Sequence, residues 1–253
     1  MITISIIGSG NVAQHLILAF EKSNKVQLIQ VFSRNKSKVG HLISPERIIN
    51  NYNDLQKVDL IIIAVSDQAT VEVSNKIPFQ NQLVAHTSGA VSLDDLDDKN
   101  RKSVFYPLQT FSKNKEINFS EIPICLEAQN ELDYEIIKKI AQTISNKTYK
   151  INSEQRKSLH VSAVFVCNFV NHLYQIGSEI CTKNNVDFEI LKPLILETAN
   201  KIKTLSPKEA QTGPAKRHDS ETINSHLAFL SDENQKEIYK ILTKSIIDDG
   251  KKL

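Results

Sequence analysis

Ile2-Thr3-Ile4-Ser5-Ile6-Ile7 runs directly into Gly8-Ser9-Gly10-Asn11-Val12-Ala13, and Val12, Leu16, Ala19 and Phe20 then recur at helical spacing. The run reads as a strand, a tight turn and the start of an amphipathic helix. A turn of this kind meets two needs of a pyrophosphate. Glycines let the anion approach the backbone closely, and the helix N-terminus offers free N–H donors with a favourable dipole. Gly8-x-Gly10-x-x-Ala13, in this strand-to-helix context, has the spacing of a dinucleotide fingerprint with Ala in the third place. Gly8, Ser9, Gly10, Asn11 and Val12 are therefore expected to hold a nucleotide. The competing reading is a glycine-rich turn that binds nothing.

Working outward, the first half alternates apolar strand-like runs with helical segments. Val26–Phe32, Arg47–Ile49, Val58–Val65, Gln82–His86, Ser103–Tyr106, Ile122–Leu126 and Lys147–Ile151 read as strands. Val58–Val65 is the continuous apolar run of a central parallel strand buried on both faces. Helices are expected over Asn11–Lys22, Asp67–Lys76 and Leu132–Ile144, and Asp94–Arg101 as a charged surface turn. This alternation predicts an α/β fold with a doubly wound Rossmann-type sheet.

The pattern changes at Asn152. A helix capped by Asn152 or Ser153 should run to about Lys183, with Val161–Val170 as its buried apolar part. A second begins near Asp187, where Pro193 either kinks it or lies in its true first turn. Ser206-Pro207-Lys208-Glu209 is a capping box, Thr212-Gly213-Pro214 a breaker, and Asp219–Leu230 and Glu233–Ile247 two further helices. The division expected is a Rossmann-like domain over 1–151 and an all-helical domain over 152–253.

Composition narrows the partners. Of 253 residues, 40% are hydrophobic and 24% charged, and the net charge of +2 is too balanced to argue by itself for nucleic acid or membrane; the dispersed basic residues and the lack of a run long enough to span a bilayer point to neither as a partner. Cys125, Cys167 and Cys181 have no metal or dithiol spacing, and an odd count without a signal peptide predicts a cytoplasmic protein. The seven histidines do not cluster with carboxylates at ligand spacing, so no metal is expected.

The second strand bears on which dinucleotide is bound. It ends Val31-Phe32-Ser33-Arg34-Asn35, without the carboxylate that holds the ribose hydroxyls of NAD. Ser33, Arg34 and Asn35 offer donors to a 2′-phosphate instead, and Lys36 and Lys38 add charge, which points to NADP. Arg34 on a solvated surface turn is the plainer alternative. Ligands lie beyond the carboxyl ends of parallel strands, so Ala64-Val65-Ser66-Asp67, Thr87-Ser88 and Gln109-Thr110 should border the same cleft. Asp67 is also expected to cap the helix that it opens.

In the helical half, His160 and Asn168 stand in an apolar stretch and are the candidates for acid–base chemistry. For each residue taken alone the better reading is structural: His160 as a satisfied interface histidine and Asn168 as a packing hydrogen bond. Arg217 and Asp219, after the Thr212-Gly213-Pro214 turn, could hold an anionic substrate group or simply form an interhelical loop.

The ordered series Gly8–Ala13, Ala64–Asp67, His86-Thr87-Ser88-Gly89-Ala90, Tyr106-Pro107-Leu108-Gln109-Thr110-Phe111, His160 through Asn168, and Thr212-Gly213-Pro214 with Arg217 and Asp219 resembles one bacterial family across nearly the whole chain. That family joins a Rossmann-like oxidoreductase domain to a C-terminal domain of unknown function 2520. It is similar in fold to pyrroline-carboxylate reductase, the deazaflavin-dependent NADP reductases and the 6-phosphogluconate and β-hydroxyacid dehydrogenases. The resemblance implies an NADP oxidoreductase, a homodimer through its helical domain, and a small-molecule substrate that it does not identify. Two positions depart from the pattern. Leu159 stands where Tyr is usual, and Arg217-His218-Asp219 replaces Arg-Gly-Asp. The Lys that β-hydroxyacid dehydrogenases place four residues before an Asn is here Val164. The expected function is hydride transfer to or from a small carbonyl, imine or hydroxy acid. The alternative is an NADP(H)-binding regulatory or scaffold protein without catalysis.

Overall fold

A computed structural model describes residues 1–113 and 115–250. Its centre is one sheet of eight strands: β1 (Ile2–Ile7), β2 (Val26–Phe32), β3 (Ile48–Ile49), β4 (Leu60–Ile63), β5 (Leu83–His86), β6 (Arg101–Pro107), β7 (Ile124–Ala128) and β8 (Thr148–Lys150). Their spatial order is β3-β2-β1-β4-β5-β6-β7-β8. All neighbours pair in parallel except β6 and β7, which are antiparallel. The chain order reverses between β1 and β4, the place where an open α/β sheet leaves a crevice.

Strand β4 is a clear case of side-chain alternation. Leu60 and Ile62 join the cluster that holds Leu16, Ile17 and Phe20 of α1 (Asn11–Glu21) and Ile137 and Ile140 of α3 (Glu131–Ala141). Ile61 and Ile63 face the other way, against Val73 of α2 (Asp67–Asn75) and Ile77. Each face of the sheet thus has its own apolar layer, which is why this strand reads as a continuous apolar run.

Beyond β8 no strand occurs among the described residues. The elements are α4 (Ser153–Ala163), a π-helical stretch at Val164–Phe169, α5 (Val170–Lys183), α6 (Lys192–Lys201), α7 (Pro207–Ala210), α8 (Ser220–Phe229) and α9 (Glu233–Gly250). Asn152 and Ser206 close capping boxes with Gln155 and Glu209, and the Asp219 side chain accepts from Thr222 N. Pro193 lies in the first turn of α6, so the helix begins there and does not kink.

The chain forms two compact units, Met1–Cys167 and Asn168–Leu253. The division falls inside the π-helical stretch, sixteen residues past the last strand-bearing segment's expected end at 151. Helix α4 therefore belongs with the sheet.

Three expectations need correction. The segment Val161–Val170 is not buried in the single chain: Val161, Phe165, Val166 and Phe169 are 50–68% exposed. Strand β6 starts at Arg101, not Ser103, because the aliphatic stem of Lys102 is buried while its Nζ meets Asp98 and the Asp94 carbonyl. Asp67 does not cap α2; Ser66 holds that position, without a side-chain cap.

Helix α4 is tied to the sheet by one buried cation. Arg156 is 1% exposed. Its guanidinium pairs with Glu127 of β7, donates to the Val91 carbonyl at 2.5 Å and to Ser153 Oγ at 3.1 Å. Glu127 also accepts from Ser153 N and Oγ, at 2.9 and 2.8 Å. Removing one partner of such a pair leaves a buried charge uncompensated. Arg156→Ala should therefore lose about 3–5 kcal/mol in urea denaturation. A loss below about 1 kcal/mol would contradict this view of the α4 anchor.

Candidate functional site

The cleft opens where β1 and β4 end side by side. Gly8 has φ +146°, and a Cβ built on it would lie 2.1 Å from the Ala64 carbonyl oxygen. Only glycine allows the two strand ends to come so close. Gly10 is different. A Cβ there would meet nothing within 4 Å, because its Cα faces open space.

Gly10 is the N-cap of α1, and no side chain caps the helix or places an acid in its first turn. The first N–H groups of α1 thus point into the cleft without a competing carboxylate, as an anion requires. Gln14 secures the turn by donating to the Ser9 carbonyl at 2.9 Å, and Asn11 Nδ2 donates to the Phe111 carbonyl at 2.9 Å. The second bond holds the segment after β6 over the cleft.

The cavity measures about 800 Å³ and is lined by Gly8–Val12, Ser33, Arg34, Ala64–Ser66 and Gln109 among the residues expected from sequence. It also takes in Lys38, Asn50, Tyr52, Ala69, Glu72, Lys76 and Phe111. Tyr52 stacks on Phe32 with ring centroids 4.1 Å apart, and burial raises its hydroxyl above the ordinary phenol range. Arg34 makes no hydrogen bond or ion pair with the described residues, and nor does the Lys38 ammonium.

Ser33 and Asn35 are already engaged. The Ser33 hydroxyl donates to the Asn35 carbonyl at 2.7 Å, and Asn35 Oδ1 accepts from Ser37 N and Oγ at 3.1 and 2.7 Å. The Asn35 amide donor is not engaged by the described residues, but Asn35 lies outside the cavity lining, which leaves Arg34 as the member of that trio that both lines the cavity and keeps its donors open. Thr87 and Ser88 are buried, and Ser88 Oγ accepts from Ala90 N and Val91 N, both at 3.0 Å. They shape the turn after β5 and do not line this cavity. Thr110 bonds its neighbour, N and Oγ1 both donating to Gln109 Oε1.

Further along the same sheet edge stands a second arrangement. Tyr106, near the end of β6, puts its hydroxyl 3.0 Å from Nδ1 of His160 on α4. Gly89 makes room for that ring: a Cβ there would lie 2.6 Å from Nδ1. His160 and Arg156 are one helical turn apart, so the Glu127–Arg156 anchor fixes the turn that carries the imidazole. Burial, with Cys125 and Asp67 adding to it, pushes the Tyr106 hydroxyl up to about 12. The phenol therefore stays protonated and can either donate to or accept from the imidazole. His86, beneath this turn, accepts from Ser88 N at 3.1 Å through Nδ1. Burial and the nearby Arg156 depress it to about 3, so it is a neutral structural histidine.

The other expected residues belong to the second unit. Asn168 is exposed on the π-helical stretch. Arg217 lies 4.0 Å from Asp219, and the Asp219 carboxylate is held below its usual range chiefly by the backbone and side chain of Thr222.

Comparison with known proteins gives this geometry a family. Residues 3–88 match the model for "NADP oxidoreductase coenzyme F420-dependent", and residues 122–246 match a domain of unknown function, DUF2520. A "putative NADP oxidoreductase" of Bacteroides fragilis is 38% identical, with 98% of each chain covered and a TM-score of 0.89. The chain belongs to the family that joins an NADP oxidoreductase domain to domain DUF2520. No curated protein matches it. Two pyrroline carboxylate reductases share the fold. That of Streptococcus pyogenes is 18% identical over 100% of this chain and 99% of its own, with a TM-score of 0.62. That of Plasmodium falciparum, solved with NADP bound, is 13% identical over 98% and 100%, also with a TM-score of 0.62.

Within this family frame, Tyr52, Glu72 and Lys76 carry no motif, and only the packing of α2 against β4 and the turn after β3 brings them to the cleft. Tyr106 lay within a quoted motif, but its bond to a residue 54 positions away has no sequence signal.

The two glycines should separate stability from binding. Gly8→Ala must strain the backbone and meet Ala64, and is expected to lose at least about 2 kcal/mol in urea denaturation. Gly10→Ala should stay within about 1 kcal/mol of the unmodified protein. Its methyl group stands where the phosphates approach, so it should weaken NADPH at least about tenfold in calorimetry. The opposite ranking would contradict this account of the turn.

Proposed function

We propose that this chain is an NADP(H)-dependent oxidoreductase acting on a small carbonyl, imine or hydroxy acid. The observation that carries this reading is the acid-free, uncapped N-terminus of α1 behind Gly8 and Gly10, with unpaired Arg34 and Lys38 in the same cavity. Gly8–Val12 would hold the pyrophosphate, and Arg34 and Lys38 the 2′-phosphate. Ala64, Val65 and Ser66 would wall the cleft. When bound, the nicotinamide supplies or accepts the hydride.

The chain's own part is the proton. His160 would give or take one at Nε2, since Nδ1 is engaged by Tyr106. A hydroxyl partner serves both charge states of the ring. It accepts from Nδ1–H of the imidazolium and equally from Nδ1–H of the neutral ring left when Nε2 gives up its proton. The ring therefore keeps its place as the proton leaves or returns. Gly89 keeps that place free of a side chain.

A homodimer and a reducing cytoplasm complete the reading. Support for the dimer is the exposed apolar series Val161, Phe165, Val166 and Phe169, and support for the compartment is three unpaired cysteines. No helix among the described residues is long and apolar enough to cross a membrane. Neither nucleic acid nor membrane is proposed as a partner.

Calorimetry should give tighter binding of NADPH than of NADH, and Arg34→Ala should cost NADPH about 10–100-fold while sparing NADH. Equal affinities in the unmodified protein would remove the choice of NADP. A panel of carbonyl, imine and hydroxy-acid compounds tests turnover. On any compound consumed, His160→Ala should lower kcat by about 10²–10⁴. Unchanged kcat would take the proton role away from His160.

A further inference from the structure

One wall of the cleft is helix α2, and it carries charges that the turn after β2 does not explain. Ala69, Glu72, Val73 and Lys76 follow one another at helical spacing along the face that lines the cavity. Arg34, Lys38 and Tyr52 line the same cavity. Three cations and one carboxylate thus share it with the phosphate turn.

The four charges are not equivalent. Arg34 and Lys38 are unpaired among the described residues. Lys76 is paired, with Glu72 one turn before it, and both remain half exposed or more. The pair holds Glu72 below the usual carboxylate range and Lys76 above the usual ammonium range, so both are charged. Arg34 lies close enough for its charge to act on Glu72, on Lys76 and on the Tyr52 hydroxyl. An exposed i,i+4 pair is a weak tie, readily exchanged for a partner of higher charge. A phosphate monoester carries about −1.5 to −2 at neutral pH, more than the single charge of Glu72.

We propose that Lys76 is a third cation of the 2′-phosphate subsite, held by Glu72 until the phosphate arrives, and that this pair sets how strongly NADPH is preferred over NADH. The proposal rests on the reading of the cavity as an NADP(H) site and deepens it. Glu72 stands in for the phosphate in the free protein. With NADPH in place, the ammonium turns to the phosphate, and the carboxylate is left as a like charge beside it. With NADH, which has no 2′-phosphate, the pair stays closed and Glu72 is free to accept from the ribose hydroxyls. Lys76 therefore favours NADPH, and Glu72 opposes it. Nothing in the strand-end sequence Val31–Asn35 encodes this second control, which arrives from another helix.

The test is calorimetric titration of the full chain with NADPH and with NADH at low ionic strength, for the unmodified protein, Lys76→Met and Glu72→Gln. Both side chains are exposed, so both variants should fold. Lys76→Met is expected to weaken NADPH by about tenfold and to leave NADH within about twofold. Glu72→Gln is expected to strengthen NADPH and weaken NADH, widening the ratio between them. If Lys76→Met leaves the NADPH-to-NADH ratio unchanged while Arg34→Ala lowers it, this inference falls and the NADP reading stands. If the unmodified protein binds neither nucleotide, or both equally, the NADP reading falls and this inference with it. A Glu72→Gln ratio that narrows would also overturn it.

Discussion

The contact between Gly8 and the Ala64 carbonyl is the constraint on which the site depends. It lies where β1 and β4 emerge side by side, at the point where the sheet order reverses. Because a side chain at Gly8 would stand 2.1 Å from that oxygen, the two strand ends can close on each other only through bare backbone. That closure aims α1 across the sheet edge with its first amides exposed. The backbone bonds from Gly8 N to Phe32 O and from Ala64 N to Ile7 O, at 3.0 and 2.8 Å, carry the same registry to β2 and β4. Arg34 on one side and α2 on the other are placed by these bonds.

A second anchor acts along the same edge. Arg156 is buried and tied to Glu127, Ser153 and the Val91 carbonyl. A buried ion pair is a poor source of net stability, since desolvation offsets much of the attraction. It does fix geometry, because few other arrangements satisfy both charges. Here it settles which face of α4 meets the sheet, and His160 one turn later meets Tyr106 and Gly89 as a result. The smaller cluster of Leu93, Val104, Tyr106 and Cys125, with Leu159 against it, supplies the apolar floor.

Much of this was legible in the residues themselves. Short apolar runs and helical spacing marked the strands and helices of the first unit, and the Gly8–Ala13 turn and the cap at Asn152 fell where expected. Local signals failed where tertiary contacts decided. Arg101 looked like the end of a surface turn and Lys102 fell outside the strand expected from Ser103, yet the Lys102 ammonium finds Asp98 and the Asp94 carbonyl and its stem enters the sheet. Asp67 looked like a cap, yet the chain enters α2 one residue earlier. Ser33 and Asn35 looked like phosphate donors by type, but the Ser33 hydroxyl is already spent on the turn and Asn35 lies outside the cavity lining. The pairs Tyr106–His160 and Phe32–Tyr52, and the arrival of Lys76, depend on separate segments meeting in space, which spacing along one segment does not encode. Val161–Val170 read as buried because it is apolar, and burial belongs to an assembly as much as to a chain.

The π-helical stretch at Val164–Phe169 has its own consequence. A π turn closes its hydrogen bonds over five residues instead of four. Relative to an α-helix it inserts one residue, and each residue of an α-helix advances about 100° around the axis. Within the stretch the side-chain register thus departs by about a quarter-turn from an α-helical count. Motifs written as fixed offsets on a straight helix lose their meaning across these six residues. Val164, four places before Asn168, is separated from it by π-helical and not α-helical turns.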